Sequence, residues 1–199
     1  MYPRNRMEAF SDAIFSVSMT LLVLDVRLPD DFQPRDAGDL VAAIVGLFPK
    51  FFPYALSFLV LGIRWLSQFQ HRTNIEAFDR GYAKWWLLHL FLVTCVPFTT
   101  IVVGRFASLA PSIWLYAGNT ALIGLVSLVL LRHTPHADGG GRWRERHISQ
   151  AMLVLSSLVA IAVSFYSPRG AFWALSLNAV APAISRWWMR RATSPPGAP

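Results

Sequence analysis

The strongest constraint on this chain is a set of long stretches without charge. Residues 85–104, 106–131 and 148–168 each run for at least 20 residues with no Asp, Glu, Lys or Arg, and residues 170–185 add a shorter uncharged run. An α-helix needs about 20 apolar residues to cross the roughly 30 Å of hydrocarbon in a bilayer. Apolar residues make up 54% of the sequence and charged residues 15%, a balance that is rare in soluble domains. The sequence therefore predicts a membrane protein with several spans.

Two weaker spans precede these four. Residues 13–24 and 51–70 are apolar, but the first run has only 12 residues and the second contains Arg64. We predict an all-α, polytopic membrane protein with six transmembrane helices in one domain over 1–191, followed by a disordered tail over 192–199. The predicted helices cover about 5–27, 50–71, 83–104, 110–131, 147–167 and 170–190, and a short interfacial helix over 39–48 starts at a cap formed by Asp39.

The first predicted helix is the unusual one. Its uncharged part spans about 18 Å, which is too short for a helix that faces lipid. The helix must then continue through Asp12 and Asp25 and shield both carboxylates from lipid, inside the protein or along water. Arg4 and Arg6 precede it as basic residues precede the apolar core of a signal peptide, but the two aspartates interrupt the run. We therefore expect this helix to be retained.

Charged and apolar residues occupy different faces of this helix. Arg6 and Asp12 lie about 240° apart around the axis, so each needs a partner on another helix or another subunit. Arg64 and His71 on the second helix are candidates for Asp12. The apolar face of the helix carries Ala13, Val17, Thr20, Leu21 and Leu24. Their regular helical spacing is typical of helix packing, and on the pattern alone packing is the favoured interpretation of this face.

Basic residues set the expected orientation. With the N-terminus in the cytoplasm, 13 of the 18 Lys and Arg residues lie on the cytoplasmic side, and both termini are cytoplasmic. The net charge of +7 is then explained by topology and requires no nucleic-acid partner. The opposite, outer end of the first helix carries acidic residues that would concentrate cations if several copies assembled around an axis. These residues are Asp25, Asp30, Asp31, Asp36 and Asp39.

The start of the first helix carries a motif. Arg6, Phe10, Ser11 and Asp12 form the pattern Arg-x-x-x-Phe-Ser-Asp, which resembles the signature of the TMEM175 family of cation channels. The resemblance extends to Trp65, to the segment Phe78-Asp79-Arg80-Gly81 and to the segment Pro97-Phe98-Thr99. It implies a prokaryotic potassium channel of the plasma membrane, with one six-helix unit per chain and four chains in a homotetramer. The first helices would line a central pore that passes potassium in moderate preference to sodium.

The resemblance also implies roles for individual residues. The hydrophobic constrictions of the family fall on Val17, Leu21 and Leu24, and its pore-facing hydroxyls fall on Thr20 and Ser16. Members commonly have His where this chain has Gln68, which can still form a hydrogen bond. A structural network that holds helices and subunits in register would comprise Arg6, Phe10, Ser11, Asp12, Trp65 and Gln68.

Ion selection is expected to come from the helix itself, because the sequence contains no Thr-Val-Gly-Tyr-Gly filter loop. A ring of apolar side chains gates by dewetting when it is narrow and, when wider, passes the ion whose hydration shell is easier to deform. Potassium is less tightly hydrated than sodium, so a modest preference for K+ follows. We expect K+ and other monovalent cations as permeant ions, the lipid bilayer and further copies of the chain as partners, and no cofactor and no metal site.

Other functions remain open on the sequence. A small secondary transporter would show inverted repeats and broken helices, for which Pro53 and Pro97 are weak indications, and a proton-permeable cation leak pathway is a further alternative. A membrane enzyme is not predicted, because its best side chains lie in and beside a Gly-rich loop with no spacing that fixes a metal or an acid/base pair. These side chains are His133, His136, Asp138, Glu145 and His147, whereas His89 and the single Cys95 are expected to be packed.

Overall fold

The described part of the chain is a bundle of α-helices. The computed structural model describes residues 1–69, 77–133, 141–167 and 170–171. The helices are α1 (Arg4–Leu21), α2 (Ala37–Gly46), α3 (Phe48–Phe69), α4 (Arg80–Thr94), α5 (Val96–Arg105), α6 (Ala110–Arg132) and α7 (Gly141–Ser164). A 3₁₀ turn over Leu22–Asp25 continues α1. Two short antiparallel strands, β1 (Tyr2–Pro3) and β2 (Ala77–Phe78), pair Tyr2 with Phe78 and were not predicted.

Several of the described helices, alone or joined end to end, are long and apolar enough to cross a membrane. Four spans meet this description: Arg4–Asp25, Arg80–Arg105, Ala110–Arg132 and Arg146–Ser164. A fifth candidate combines α2 and α3, which are bent by 41° relative to each other. The four spans overlap the predicted helices over 5–27, 83–104, 110–131 and 147–167, whereas the bent pair overlaps both the predicted helix over 50–71 and the segment predicted as a separate interfacial helix over 39–48. The sixth predicted span, 170–190, and the predicted tail, 192–199, lie outside the described residues apart from positions 170–171.

One face of α1 packs against the bundle. Its buried residues are Met7, Ser11, Phe15 and Ser18, and Leu22 of the 3₁₀ turn continues the series. Residues three or four positions apart share one face of a helix, so this series is the inward face. The core that receives it also takes side chains from α3, α4, α5 and α6: Leu61, Leu90, Leu92, Val93, Val96, Ile123 and Val126.

The predicted cap of the short helix is wrong. α2 begins at Ala37 and its N-cap is Asp36, whose Oδ1 accepts a hydrogen bond from the backbone N–H of Asp39 at 2.8 Å. Asp39 lies in the first turn instead, and its Oδ2 accepts from the backbone N–H of Arg35 at 3.2 Å. Either aspartate is a good cap by residue type. The extended backbone at Asp36 decides between them, because an N-cap residue has non-helical dihedral angles.

The third span is interrupted where the sequence predicts a continuous helix. α4 ends at Thr94 and α5 begins at Val96, with Pro97 in the first turn of α5. Proline has no N–H to donate to the carbonyl four residues earlier, so helices break or bend at such a residue. The buried side chain of Asn119 on α6 donates to the carbonyl of Leu92 at 3.2 Å, which also accepts from the backbone N–H of Cys95, so α6 is hydrogen-bonded to α4 beside the break.

The backbones of α6 and α7 come close together at Gly124. A Cβ atom at this position would lie 2.8 Å from Cγ2 of Val154 and 3.1 Å from Cδ2 of Leu153, both on α7. Without a strong hydrophobic driving force between helices in lipid, close backbone approach at small residues is a main source of helix association. The absence of a side chain at Gly124 therefore permits this close approach of the two helices.

We expect Gly124→Ala to destabilise the protein. The added methyl group overlaps the stiff, β-branched Val154, and overpacking of this kind costs about 1–3 kcal/mol. Gly118→Ala on the same helix is the matched control, since nothing lies within 4 Å of a Cβ atom there. Thermal unfolding of the detergent-solubilised protein should show a lower midpoint for the first variant only. Equal midpoints for the two variants would contradict the close approach of α6 and α7.

Candidate functional site

The residues predicted to line a pore lie on the exposed face of α1 and its 3₁₀ turn. The exposed fractions are 55% for Val17, 43% for Leu21 and 63% for Leu24, and Ser16 and Thr20 are exposed as well. Ala13, which begins the stripe, is also exposed. The stripe thus lies away from the face that α1 packs into its own bundle. It is a surface of the protomer available to other copies, water or lipid.

The 3₁₀ turn aligns the end of this stripe. In an α-helix, residues three apart are about 300° apart around the axis, so Leu24 would be displaced by about 60° from Leu21. In a 3₁₀ helix there are three residues per turn and side chains at i and i+3 eclipse each other. Leu24 lies in the 3₁₀ turn over Leu22–Asp25, and 3₁₀ winding brings it closer to alignment with Leu21 than α-helical winding would, about 6 Å further along the axis. Both side chains belong to the exposed apolar surface of this segment.

Hydroxyl groups interrupt this apolar surface. Thr20 Oγ1 donates to the backbone carbonyls of Ser16 at 3.1 Å and Val17 at 2.9 Å, one turn earlier on α1. A hydroxyl that donates back to its own helix keeps oxygen lone pairs that can accept or coordinate. The exposed face of α1 therefore offers an oxygen atom between the two apolar levels at Val17 and Leu21.

The motif residues connect the N-terminal part of α1 to α3 and α4. The buried Ser11 hydroxyl donates to Oε1 of Gln68 at 2.9 Å, and Trp65 Nε1 donates to Oδ1 of Asp12 at 2.9 Å. The ring of Phe10 contacts the ring of Trp86 with the centroids 5.9 Å apart. Gln68, the departure from the family pattern, thus still accepts a hydrogen bond from the motif serine.

The structure describes some, but not all, of the residues predicted as partners of the charged motif residues Arg6 and Asp12. Trp65, which donates to Asp12, follows Arg64 on α3, while His71 lies outside the described residues. Arg6 is exposed, and it forms no ion pair with any other residue in 1–69, 77–133, 141–167 or 170–171. Arg6 is therefore a solvent-exposed residue at the N-terminal end of α1.

The N-terminus of α1 is held by short-range contacts. β1 pairs with β2, which immediately precedes α4, and Asp79 caps α4 by accepting from the backbone N–H of Tyr82 at 2.9 Å. The ring of Phe78 stacks on that of Tyr82 with 4.1 Å between centroids. The segment Phe78–Gly81, singled out in the sequence, is therefore the start of α4 and the point where the chain's N-terminus attaches to it.

The C-terminal end of the stripe carries charge. Oδ1 of Asp25 accepts from Arg105 Nε at 2.9 Å and also from Arg105 Nη2, at the end of α5. Asp30 pairs with Arg27 at 3.4 Å on the exposed surface, and Asp31 is exposed. The predicted acidic cluster is therefore partly neutralised by basic residues of the same chain.

Arg105 is a site residue that sequence reasoning missed. The sequence places it among the outer basic residues only, because nothing local links it to a carboxylate 80 positions away. The available signal was indirect: Asp25 ends a short apolar run and needs a partner, and Arg105 ends the third span on the same predicted side of the membrane. A comparison of the charged residues that end different spans on the same side of the membrane would have suggested the ion pair between Asp25 and Arg105.

The residues considered for enzymatic chemistry are dispersed. His89 is buried beside the ring of Phe15, with 6.4 Å between centroids, and His133 is exposed at the end of α6. Cys95 is a partly buried free thiol at the break between α4 and α5. In the described residues no three His, Cys, Asp or Glu side chains come together in a way that could hold a metal ion. His136, Asp138 and the side chain of Glu145 lie outside the described part of the structure.

Comparison with known proteins identifies relatives of this chain. Residues 6–97 match the family described as "Endosomal/lysosomal potassium channel TMEM175". The chain is 32% identical over 138 residues to a protein named as a potassium channel from Chamaesiphon minutus, covering 67% of this chain and 66% of the relative. It is 35% identical over 106 residues to one from Streptomyces collinus, covering 53% and 50% of the two. The matches thus span about half to two thirds of the length of these relatives.

A solved structure extends the likeness to the fold. The crystal structure of a lysosomal potassium-selective channel TMEM175 homolog from Chamaesiphon minutus superposes with a TM-score of 0.74 at 25% identity. The match covers 96% of this chain and 98% of the other. The resemblance first carried by Arg6, Phe10, Ser11 and Asp12 is thereby confirmed by the family model, by the named relatives and by a nearly full-length structural match: the chain belongs to the TMEM175 family.

Proposed function

We propose that this protein is a potassium-selective cation channel of a prokaryotic plasma membrane, built as a homotetramer in which α1 of each subunit lines a central pore. The carrying observation is the exposed row of Val17, Leu21 and Leu24 on a span whose uncharged part is too short to face lipid. The proposal agrees with the names of the related channels from Chamaesiphon minutus and Streptomyces collinus.

The composition of the exposed face supports a pore in preference to a lipid contact. On α4 and α6 the exposed side chains are mostly large and apolar, as expected against hydrocarbon; they include Leu87, Phe91, Trp114, Leu115, Leu122 and Leu125. On α1 the exposed face contains Ala13, Ser16 and Thr20 beside the apolar row. Small and hydroxylated side chains at membrane depth are characteristic of helices that contact other helices or water.

A single copy of α1 cannot enclose a conduction path, so the proposal requires assembly. The exposed guanidinium of Arg6 fits this requirement, because it is available to a neighbouring subunit at the N-terminal end of the same helix. With both termini in the cytoplasm, as the distribution of basic residues indicates, the exposed Asp31 lies at the outer mouth beside Asp25, whose charge is paired with that of Arg105. An exposed carboxylate there raises the local concentration of cations.

Selectivity in this pore is attributed to partial dehydration. Rings of Leu21 and Leu24 side chains form an apolar neck, and ions cross it only by deforming their hydration shells. The hydroxyl oxygens of Thr20, which directly precedes Leu21 in the helix, can replace part of the water that the ion loses in the neck. Because K+ gives up water more easily than Na+, the neck favours K+ moderately and requires no filter loop.

The direct test is a bi-ionic measurement on purified protein in planar bilayers, with K+ on one side and Na+ on the other. We expect unitary currents and a reversal potential displaced toward the K+ equilibrium potential, where a tenfold preference corresponds to about 59 mV. Saturating exchange without unitary steps would indicate a transporter. A reversal potential that follows an imposed pH gradient would indicate a proton leak pathway, and either result would overturn the proposal.

The assembly is tested separately by native mass spectrometry of the detergent-solubilised protein. Four copies are expected. A stable monomer that still conducts ions would contradict the shared axis, because the pore wall would then have to come from a single bundle.

A further inference from the structure

We infer that Arg105 is a positioning residue of the pore: its ion pair with Asp25 holds the 3₁₀ turn that keeps Leu24 in line with Leu21. This inference rests on the proposed function, since it assigns the outermost constriction to Leu24. Neither residue of the pair is in contact with the ion in this assignment. Arg105 acts through the backbone of the turn to which Asp25 belongs.

The core holds the first residue of the turn, because Leu22 is buried there, so the contact at the last residue decides whether the 3₁₀ winding persists to its end. Asp25 is the last residue of the turn, and the next backbone bonds run from the N–H of Val26 to the carbonyl of Val23 and from Arg27 to Asp25. A 3₁₀ helix has poorer hydrogen-bond geometry than an α-helix and is normally short. Without an external contact, the segment can rewind toward α geometry, which would turn Leu24 away from Leu21 by about 60°.

The external contact of Asp25 is its ion pair with Arg105, and the Asp25 side chain is largely shielded from solvent. Only 13% of its side chain is exposed, compared with 49% for Arg105, and one carboxylate oxygen receives both Nε and Nη2 of the arginine. Charge-assisted hydrogen bonds of this kind are stronger than neutral ones. The pair also crosses between two helices, whereas the Arg27 and Asp30 pair lies within one short segment.

Arg105 is carried by a helix that is fixed in the bundle. On α5, Val103 is buried, and the Thr100 hydroxyl donates to Ser57 Oγ of α3 at 2.8 Å. Ser57 Oγ also lies 3.2 Å from the Tyr116 hydroxyl of α6. Three helices therefore meet in a buried polar chain that positions α5, and Arg105 transmits that position to the end of the pore helix. Functional side chains held on packed helices are positioned more accurately than those on loops.

The test uses spin labels as well as currents. All labelled variants carry Cys95→Ser, so that the only cysteine is the introduced one. A nitroxide is attached at Leu24→Cys, and a second series with the label at Val17→Cys serves as the internal reference. Each series is measured alone, with Arg105→Gln and with Asp25→Asn. We expect increased mobility of the label at position 24, with no change at position 17. In unlabelled channels each of the two substitutions should lower the ratio of K+ to Na+ permeability by about fivefold, because an ion pair that contributes about 1 kcal/mol corresponds to that factor.

Two controls separate positioning from surface charge. Arg27→Gln removes a basic residue from the same mouth, and its effect on current should vanish in high salt because the charge is exposed. The effect of Arg105→Gln should persist in high salt. The double variant Arg105→Gln with Asp25→Asn should be no more altered than either single variant, as expected for one shared contact.

The results that overturn the inference differ from those that overturn the channel. Unchanged label mobility at position 24, additive effects in the double variant, or full suppression of the Arg105→Gln effect by salt would each reject the positioning role. A wild-type protein without K+ current would reject the proposed function instead. The spin-label measurement does not depend on current, so the two failures can be told apart.

Discussion

Leu21→Asn is expected to raise the unitary K+ current about tenfold and to reduce the preference for K+ over Na+, because a barrier lowered by about 1.4 kcal/mol corresponds to that factor. Leu21 is exposed on α1 between Val17 and Leu24. In a tetramer one substitution changes four side chains of the same ring. Amide groups in place of isobutyl groups keep the neck hydrated, so ions cross it with more of their water and are discriminated less.

The matched control is Leu122→Asn. Leu122 is exposed to a similar extent, 50% against 43% for Leu21, but lies on α6 among large apolar side chains. An amide facing lipid is unfavourable for insertion and is expected to lower the yield of protein. The channels that do insert should have wild-type unitary current and selectivity. Wild-type behaviour of Leu21→Asn, or equal changes in both variants, would reject α1 as the wall of the pore.

The positions of the apolar spans were accessible from the sequence for a physical reason. Uncharged runs are a local property, and the length that a bilayer requires fixes the number of residues. The two charged ends of the first run likewise imply that each has a partner, but not which one: the candidates for Asp12 were Arg64 and His71, and the hydrogen bond in the structure comes from the indole N–H of Trp65. Helical periodicity also places Val17, Leu21 and Leu24 on a different face of α1 from Ser11, Phe15 and Ser18. It does not tell which of the two faces packs into the bundle.

Features that depend on tertiary packing were not accessible in the same way. The pair of Arg105 with Asp25 joins positions 80 residues apart, and only the fold brings them together. The close approach at Gly124 depends on Val154 of another helix. The choice of Asp36 over Asp39 as a cap depends on backbone angles that residue type does not determine. The 3₁₀ winding at Leu24 belongs to the same class, and it matters most for the pore.

Asp12→Ala is expected to lower the thermal midpoint of the solubilised assembly by about 4–8 °C, which corresponds to about 2 kcal/mol for a chain of this size. The substitution removes the hydrogen bond from the Trp65 indole N–H to the Asp12 carboxylate, and a hydrogen bond to a charged group contributes about 1.5–3 kcal/mol. The loss also loosens α1 from α3 at the motif. Scanning the midpoint by fluorescence-detected size-exclusion chromatography measures assembly and folding together.

Asp12→Asn separates the charge from the hydrogen bond. An asparagine carbonyl can still accept from Trp65 Nε1, so this variant should keep a midpoint close to that of the wild type if the contact itself is what matters. Ser11→Ala removes the neighbouring bond to Gln68 and should cost about 1 kcal/mol, the usual net value of a neutral hydrogen bond. An Asn variant as unstable as Ala would show that the carboxylate charge is required. The stabilising partner of Asp12 would then be a cation, either within the chain or on a neighbouring subunit, and the Trp65 contact would be secondary.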